Sequence, residues 1–317
     1  MVSSIRMRSR SLYEALKDNG INLKPTNMIT LDFIHPEDAK AIKTLEAIPG
    51  MRKLTKKFME LGCEKMFYGM NMASCIRLSS TQLPEIYKHL PPICDRLGIE
   101  IPEFYLEMNP FPNACTYGDT KIFISVTSGL IEMMSDEEID AVLAHECGHI
   151  LCRHTLYHSI ATTAFREGVD RGLLGEWSEP LAYALFYWMR KSELSCDRVA
   201  ALVTSPETVV NVMARLSGGS VSLTGSINYD EWAKQADEYD EIYNDGLWNK
   251  TLMIYNTVAL DHPFAAVRVR EILKWGKTAQ YADIKASIPD VNGKRCGNCG
   301  HLVDSTWNFC EFCGKKL

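Results

Sequence analysis

The clearest hydrophobic periodicity in the chain runs from Ser135 to Cys152. Ile139, Val142, Leu143, Ile150 and Leu151 recur at spacings of three, four and seven, which makes one side of a helix apolar. Ser135-Asp136-Glu137-Glu138 reads as a capping box before it, and the acidic first turn suits the positive end of the helix dipole. Ser178-Glu179-Pro180 starts a second predicted helix, in which Leu181, Ala184, Leu185, Trp188, Val199 and Leu202 keep helical spacing. Between these signals and the amino-terminal third the pattern shortens. Phe104 to Met108, Cys115 to Gly118 and Lys121 to Val126 read as short strands with Gly118-Asp119 as a turn, predicting a short antiparallel sheet.

Residues up to Glu103 read as mostly helical. Ile34-His35-Pro36-Glu37-Asp38 opens one segment, Ile48-Pro49-Gly50 breaks it, and Pro91-Pro92 precedes another. Carboxylates from Asp230 to Asp245, interleaved with Trp232, Tyr239, Ile242 and Tyr243, predict a solvated helix face with an apolar reverse. Gly218 to Gly225 reads as a loop. Lys277 to Lys294 loses apolar periodicity and contains Pro289-Asp290 and Asn292-Gly293, so a linker is predicted there. The resulting fold class is α+β and predominantly helical. Its predicted parts are a helical segment over 1–85 packing on the core, a main domain over 86–276, a linker over 277–295 and a small carboxy-terminal unit over 296–317.

Chemistry enters at His145-Glu146-Cys147-Gly148-His149, inside the strongest helix. At about 100° per residue, His145 and His149 lie roughly 40° apart on one face, with Glu146 beside them. One metal ion held by both rings then places a bound water within reach of the carboxylate, the arrangement a zinc hydrolase needs. The competing reading is a core helix with two satisfied histidines and a surface glutamate. A catalytic zinc takes a third protein ligand and keeps a position open. The spacing of a metzincin is rejected, because Cys152 and Thr155 stand where its glycine and histidine belong. His154 and His158 read as surface groups or as groups behind a ligand. Glu193 is the better third ligand; Asp197, four residues on and on the same helix face, is placed to accept a hydrogen bond from a ligand imidazole. His35 and His89 have no partner at ligand spacing and are assigned no chemistry.

Eleven cysteines without an export signal argue for metal or free thiols rather than disulfides. Cys296-Gly297-Asn298-Cys299-Gly300 and Cys310-Glu311-Phe312-Cys313-Gly314 are matching knuckles, and their four thiolates suit a closed structural zinc site resembling a zinc ribbon. So short a segment has too little core of its own, so metal supplies much of its folding free energy. A net charge of -6 gives no general attraction to nucleic acid. The 46% hydrophobic content over 317 residues allows a sizeable core. The longest nearly apolar run, Leu181 to Met189, falls far short of the roughly 20 residues that span a bilayer. Arg6, Arg8 and Arg10 are followed by polar residues rather than a signal-peptide core, and a cytoplasmic protein is expected.

Four blocks in order carry a family resemblance: Asn113-Ala114-Cys115-Thr116-Tyr117-Gly118, the HECGH stretch, Trp188-Met189-Arg190 leading into Glu193-Leu194-Ser195-Cys196-Asp197, and His262-Pro263 with Arg268. The chain resembles gluzincin metallopeptidases of the HtpX-like and CAAX prenyl protease type, peptidase family 48 of the metallo class. The resemblance implies a zincin-like domain in which His145, His149 and Glu193 bind zinc. Glu146 is then the general base and Asp197 orients a ligand. It also implies His262 as an oxyanion stabiliser, Arg268 as a supporting ion-pair partner, and a strand near Asn113 and Ala114 whose backbone edge pairs with an extended substrate. Cys147 and Cys196 depart from the aliphatic residue and the alanine familiar there, and both read as buried inert thiols.

The implied activity is zinc-dependent endopeptidase cleavage of protein or peptide substrates, with one catalytic and one structural zinc. Two other classes stay open. The zinc organises a non-catalytic protein-binding module, or the chain is a nucleic-acid-associated protein that docks through the ribbon; nucleic acid is disfavoured by charge, and a protein partner for the ribbon is left open.

Overall fold

The computed structural model describes residues 31–51, 55, 58, 63–118, 120–161, 178–244, 246, 264–288, 296–298, 303, 308–310 and 314–317. The expectations for His262, Cys299 and Cys313 therefore lie outside the described residues.

Helices dominate, with one four-stranded sheet. The elements that build the site are α1 (Pro36–Glu46), α2 (Cys63–Ser74), β1 (Ile76–Arg77), α3 (Leu90–Leu97), β2 (Glu103–Glu107), β3 (Ala114–Tyr117), β4 (Phe123–Thr127), α4 (Ser128–Met133), α5 (Asp136–Leu151), α6 (Thr155–Ala161), α7 (Ser178–Val203), α8 (Pro206–Gly218), α9 (Tyr229–Asn244), α10 (Ala265–Gly276) and α11 (Ala279–Ser287).

The sheet runs β1-β2-β4-β3 and is mixed, which corrects the antiparallel sheet predicted from sequence. β3 and β4 form the expected antiparallel pair, and β1 pairs antiparallel with β2. β2 and β4 are parallel, with Tyr105 opposite Ser125. Residues 108–122 connect them, enough chain for the dozen-residue crossover that parallel neighbours require, and β4 threads between β2 and β3. All five β4 residues are buried, whereas β3 stands at the sheet edge against α5.

The main core joins Phe104, Ile124 and Val126 of the sheet to Leu143 of α5, Val199 of α7, Val210 of α8 and Val269 of α10. A second cluster sets Ala41 and Leu45 of α1 against Ile160 of α6 and Leu185 and Trp188 of α7. The capping box of α5 forms as predicted: the Ser135 hydroxyl accepts from the Glu138 amide, and the Glu138 carboxylate accepts from the Ser135 amide. Two segments differ from expectation. Residues Val221–Thr224 make a helical turn within the predicted loop. Residues 279–287, predicted as linker, form α11, because Thr278 caps it, Ile284 and Ile288 enter the main core, and Lys285 donates to the Leu202 and Thr204 carbonyls at 2.6 Å each.

α5 and α7 pack closely at Gly148. A Cβ there would stand 3.0 Å from the Cys196 Cα and 3.2 Å from its Cβ, so glycine on one helix and a small side chain on the other set the separation. Gly148→Ala is therefore expected to push the helices apart. Overpacking of about 1–3 kcal/mol opposes the gain of about 1 kcal/mol in helix propensity. The sharper readout is metal affinity, which should fall because Glu193 on α7 moves away from α5; unchanged affinity in a folded variant would show that the spacing is not critical.

Candidate active site

His145, Glu146 and His149 are all buried, one turn of α5 presenting them towards α7. From α7 the Glu193 carboxylate reaches both rings: Oε2 is 3.3 Å from His145 Nε2 and Oε1 is 3.4 Å from His149 Nε2. These distances test the fit of a zinc ion. Ligand atoms about 2.05 Å from a tetrahedral ion stand roughly 3.3 Å apart, and each observed separation has about that length, one to each Glu193 oxygen. The donor set, two imidazoles and one carboxylate, is also one that catalytic zinc accepts.

Among the described residues two combinations bring one ligand atom each within 4.8 Å of one another, His145, His149 and Cys196, and His149, His158 and Glu193; Glu193 reaches both rings of the α5 pair, but the three together are not such a set. Burial, with nearby carboxylates, raises the Cys196 thiol well above its ordinary range. It must lose a proton in a hostile setting before it can bind metal, which Glu193 need not do. Cys196 Sγ also lies 3.5 Å from His154 Nδ1. His158 Nε2 is engaged with the Ser192 hydroxyl at 3.0 Å. The chemistry therefore favours Glu193 as the third group.

Asp197 does what the sequence predicts geometrically: its Oδ1 is 3.0 Å from His145 Nδ1. A carboxylate accepting there fixes the proton on Nδ1 and leaves Nε2 facing Glu193. Arg268 of α10 holds the carboxylates in turn. It donates from Nε to Asp197 Oδ2 at 2.8 Å and from Nη2 to Asp197 Oδ1 at 2.6 Å, and its Nη1 is 3.1 Å from Glu193 Oε2. Burial raises the Asp197 carboxyl, but the Arg268 charge and hydrogen bonds outweigh it and hold Asp197 below the usual carboxylate range. Burial lowers His145, yet the Glu193 charge and the Asp197 hydrogen bond lift it to about 9. For His149 burial wins, and its value falls. Proton and divalent cation compete for the same carboxylate-flanked nitrogens, so metal binding there releases protons.

Three residues that sequence spacing did not single out complete the surroundings. The Thr116 hydroxyl on β3 is 2.6 Å from Glu146 Oε2, which anchors one oxygen of that carboxylate and leaves the other for chemistry. His154, read as a surface group or one behind a ligand, is buried, with its Nδ1 3.3 Å from His149 Nδ1. Asp38 of α1 is 3.2 Å from His154 Nε2. Thr116 lay within a quoted block without a role, and no spacing links position 38 to position 154.

A cavity of about 450 Å³ opens beside His145 and Glu146. Asn113 and Ala114 at the start of β3 form one side of it, and Arg268 and Asp197 lie at its polar end. Its apolar lining includes Leu130, Val142, Val209, Val212 and Met213, and Asn109 adds a further polar group. Phe111, 76% exposed, lies at the same cavity. Among the described residues no helix is long and apolar enough to cross a membrane.

The carboxy-terminal segment that carries the cysteine knuckles is described only in part. Cys296 and Cys310 are buried together with Val303, and the Asn298 amide donates to Cys296 Sγ at 3.4 Å. The Ser80 hydroxyl donates to the Asn298 carbonyl, which ties this segment to the main body.

The profile described as Peptidase family M48 matches residues 82–276. The chain is similar to the plastoglobule-localized metallopeptidase 48, chloroplastic, of Arabidopsis thaliana, 33% identical over 258 residues, or 80% of this chain and 74% of that protein. It is also similar to protease HtpX of Legionella pneumophila (strain Corby), 36% identical over 80 residues, and to a protease HtpX homolog of Nostoc punctiforme, 25% identical over 140 residues. Those matches span 29% and 46% of the two relatives' length, and 25% and 44% of this chain. A crystal structure of S. mikatae Ste24p aligns with 86% of this chain and 67% of that one at a TM-score of 0.40 and 16% identity.

Proposed function

The chain belongs to peptidase family M48, a metallopeptidase family, and on that premise we propose that it is a zinc-dependent endopeptidase with its centre at His145, His149 and Glu193. The observation that carries this reading is the Glu193 carboxylate of α7 meeting one ring nitrogen with each oxygen, at 3.3 and 3.4 Å, with a second carboxylate, Glu146, next to His145 on α5. When bound, zinc would supply Lewis acidity, lowering the pKa of a water to about 7 and polarising the scissile carbonyl.

The chain's own groups do the rest. Glu146, with one oxygen held by Thr116, takes a proton at the other and returns it to the departing amine. Asp197 and Arg268 keep His145 oriented. The β3 edge, with Asn113 and Ala114 bordering the cavity, suits an extended peptide added as a further strand, a mode that reads backbone more than side chains. His262 and a ribbon zinc held by Cys296, Cys299, Cys310 and Cys313 belong to the same proposal, the former for the oxyanion and the latter as a structural staple. So does the division at 86–276, with the ribbon over 296–317.

The apolar wall adds a preference. Val209, Val212 and Met213 suit a large apolar side chain on one side of the cleaved bond. Val212→Phe should lower kcat/KM for a peptide carrying Phe or Leu there by about 10–200-fold, the scale of small steric changes in a hydrophobic pocket. An alanine peptide should be cut as before. Equal effects on both peptides would remove Val212 from the specificity wall.

The direct test of activity is cleavage of an unfolded protein by the full chain, suppressed by a chelator and restored by added zinc. Cleavage that persists through metal removal would contradict the reading.

A further inference from the structure

We infer that Asp38 and His154 form a second orienting relay, reaching the metal centre from outside the matched family region and fixing the tautomer of His149. The inference rests on the zinc reading above, because it concerns which nitrogen of a ligand imidazole is bare.

The relay runs through four side chains. His149 Nδ1 and His154 Nδ1 are 3.3 Å apart, and His154 Nε2 is 3.2 Å from Asp38 Oδ2. That same Asp38 oxygen accepts from the Ser195 hydroxyl at 2.5 Å, and the Ser195 oxygen accepts from the His35 amide at 3.1 Å. Asp38, His149, His154 and Ser195 are all buried.

Proton accounting fixes the directions. A carboxylate is acceptor only, so His154 Nε2 carries the proton that points at Asp38. In a neutral imidazole the opposite nitrogen is then a bare acceptor. Two groups lie within reach of it, His149 Nδ1 at 3.3 Å and the Cys196 thiol at 3.5 Å, and the relay assigns a donated proton to His149 Nδ1. A proton on His149 Nδ1 leaves His149 Nε2 bare, and that atom faces Glu193. Asp197 does the same for His145 in one step; Asp38 does it for His149 in two.

The placement of Asp38 is a product of its helix. His35 caps α1 by accepting from the Glu37 amide at its Nδ1, and Pro36 occupies the first turn. Asp38 thus lies in the first turn of a helix whose apolar side, Ala41 and Leu45, packs on α6 and α7. Trp188 of α7 packs edge-on against the His154 ring, with centroids 5.3 Å apart, and holds it upright. The family match begins at residue 82, so the amino-terminal segment completes a site whose ligands lie elsewhere. Asp38 and His154 are positioning residues; neither is placed to touch substrate.

The test combines histidine nitrogen NMR on the zinc-loaded full chain with zinc-release curves. In the wild type, His154 should show its proton on Nε2 and His149 on Nδ1. Asp38→Ala should weaken the histidine-site zinc by about 10–100-fold, the usual cost of losing an outer partner. That site is identified as the release step missing in His145→Ala. Asp38→Asn keeps an oxygen acceptor in the same volume and should retain most of the affinity. A wild-type spectrum with the His154 proton on Nδ1 overturns the relay without any variant, as does full zinc affinity in Asp38→Ala. If His145→Ala removes no release step, the zinc reading itself has failed; the His154 tautomer still reports separately on the relay.

Discussion

Replacing Arg268 by methionine is expected to destabilise the zinc-free protein by about 3–5 kcal/mol, the cost of leaving buried charge without its partner. Arg268 is buried and faces two carboxylates that are buried as well, Asp197 at 2.6 Å and Glu193 at 3.1 Å. Methionine fills similar volume but compensates neither charge. At about 2–4 °C per kcal/mol for a domain of this size, the melting temperature should fall by about 6–20 °C. Zinc should recover part of that loss, because a cation between His145, His149 and Glu193 replaces some of the missing positive charge. Thermal melts of both proteins with and without zinc measure this. A variant as stable as wild type when metal-free would mean that the two carboxylates do not depend on Arg268.

The second large effect concerns catalysis alone. Glu146→Gln keeps the shape of the side chain and its acceptor for the Thr116 hydroxyl, but cannot take a proton. Cleavage should fall by about 10²–10⁴-fold, the contribution expected of a positioned general base. Zinc content and melting temperature should stay near wild type, because Glu146 is not among the three proposed ligands. Equal turnover by the two proteins, with zinc retained in both, would remove Glu146 from the mechanism.

Legibility followed the range of the interactions. HECGH and its capping box are local, so helical spacing alone places both histidines and the acid beside them. Glu193 and Asp197 were readable as neighbours one turn apart, the first assigned to the ion and the second to a ring nitrogen, although their distance from His149 in the chain meant that spacing alone did not bring them to the rings. Arg268 came only through resemblance, since nothing in its own helix marks it as the partner of two buried carboxylates. Asp38 was hidden because His-Pro-Glu-Asp reads fully as a helix start; its contact with His154 is made by the packing of α1 on α6 and α7. The parallel pairing of β2 with β4 was hidden for another reason. Alternation reports that a strand is half-buried, not which way its neighbour runs. In α11 much of the anchorage is polar, from Gln280, Tyr281 and Lys285, and only Ile284 and the following Ile288 are buried in the core, too few apolar positions to produce a periodic signal.

The central claim is that an ion sits between His145, His149 and Glu193. Crystals of the zinc-loaded full chain, measured on both sides of the zinc absorption edge, test it without reference to any substrate. The account predicts an anomalous peak about 2.0–2.2 Å from both Nε2 atoms and a Glu193 oxygen, the distances usual for nitrogen and oxygen ligands. A peak about 2.3 Å from Cys196 Sγ, with Glu193 turned away, would contradict it.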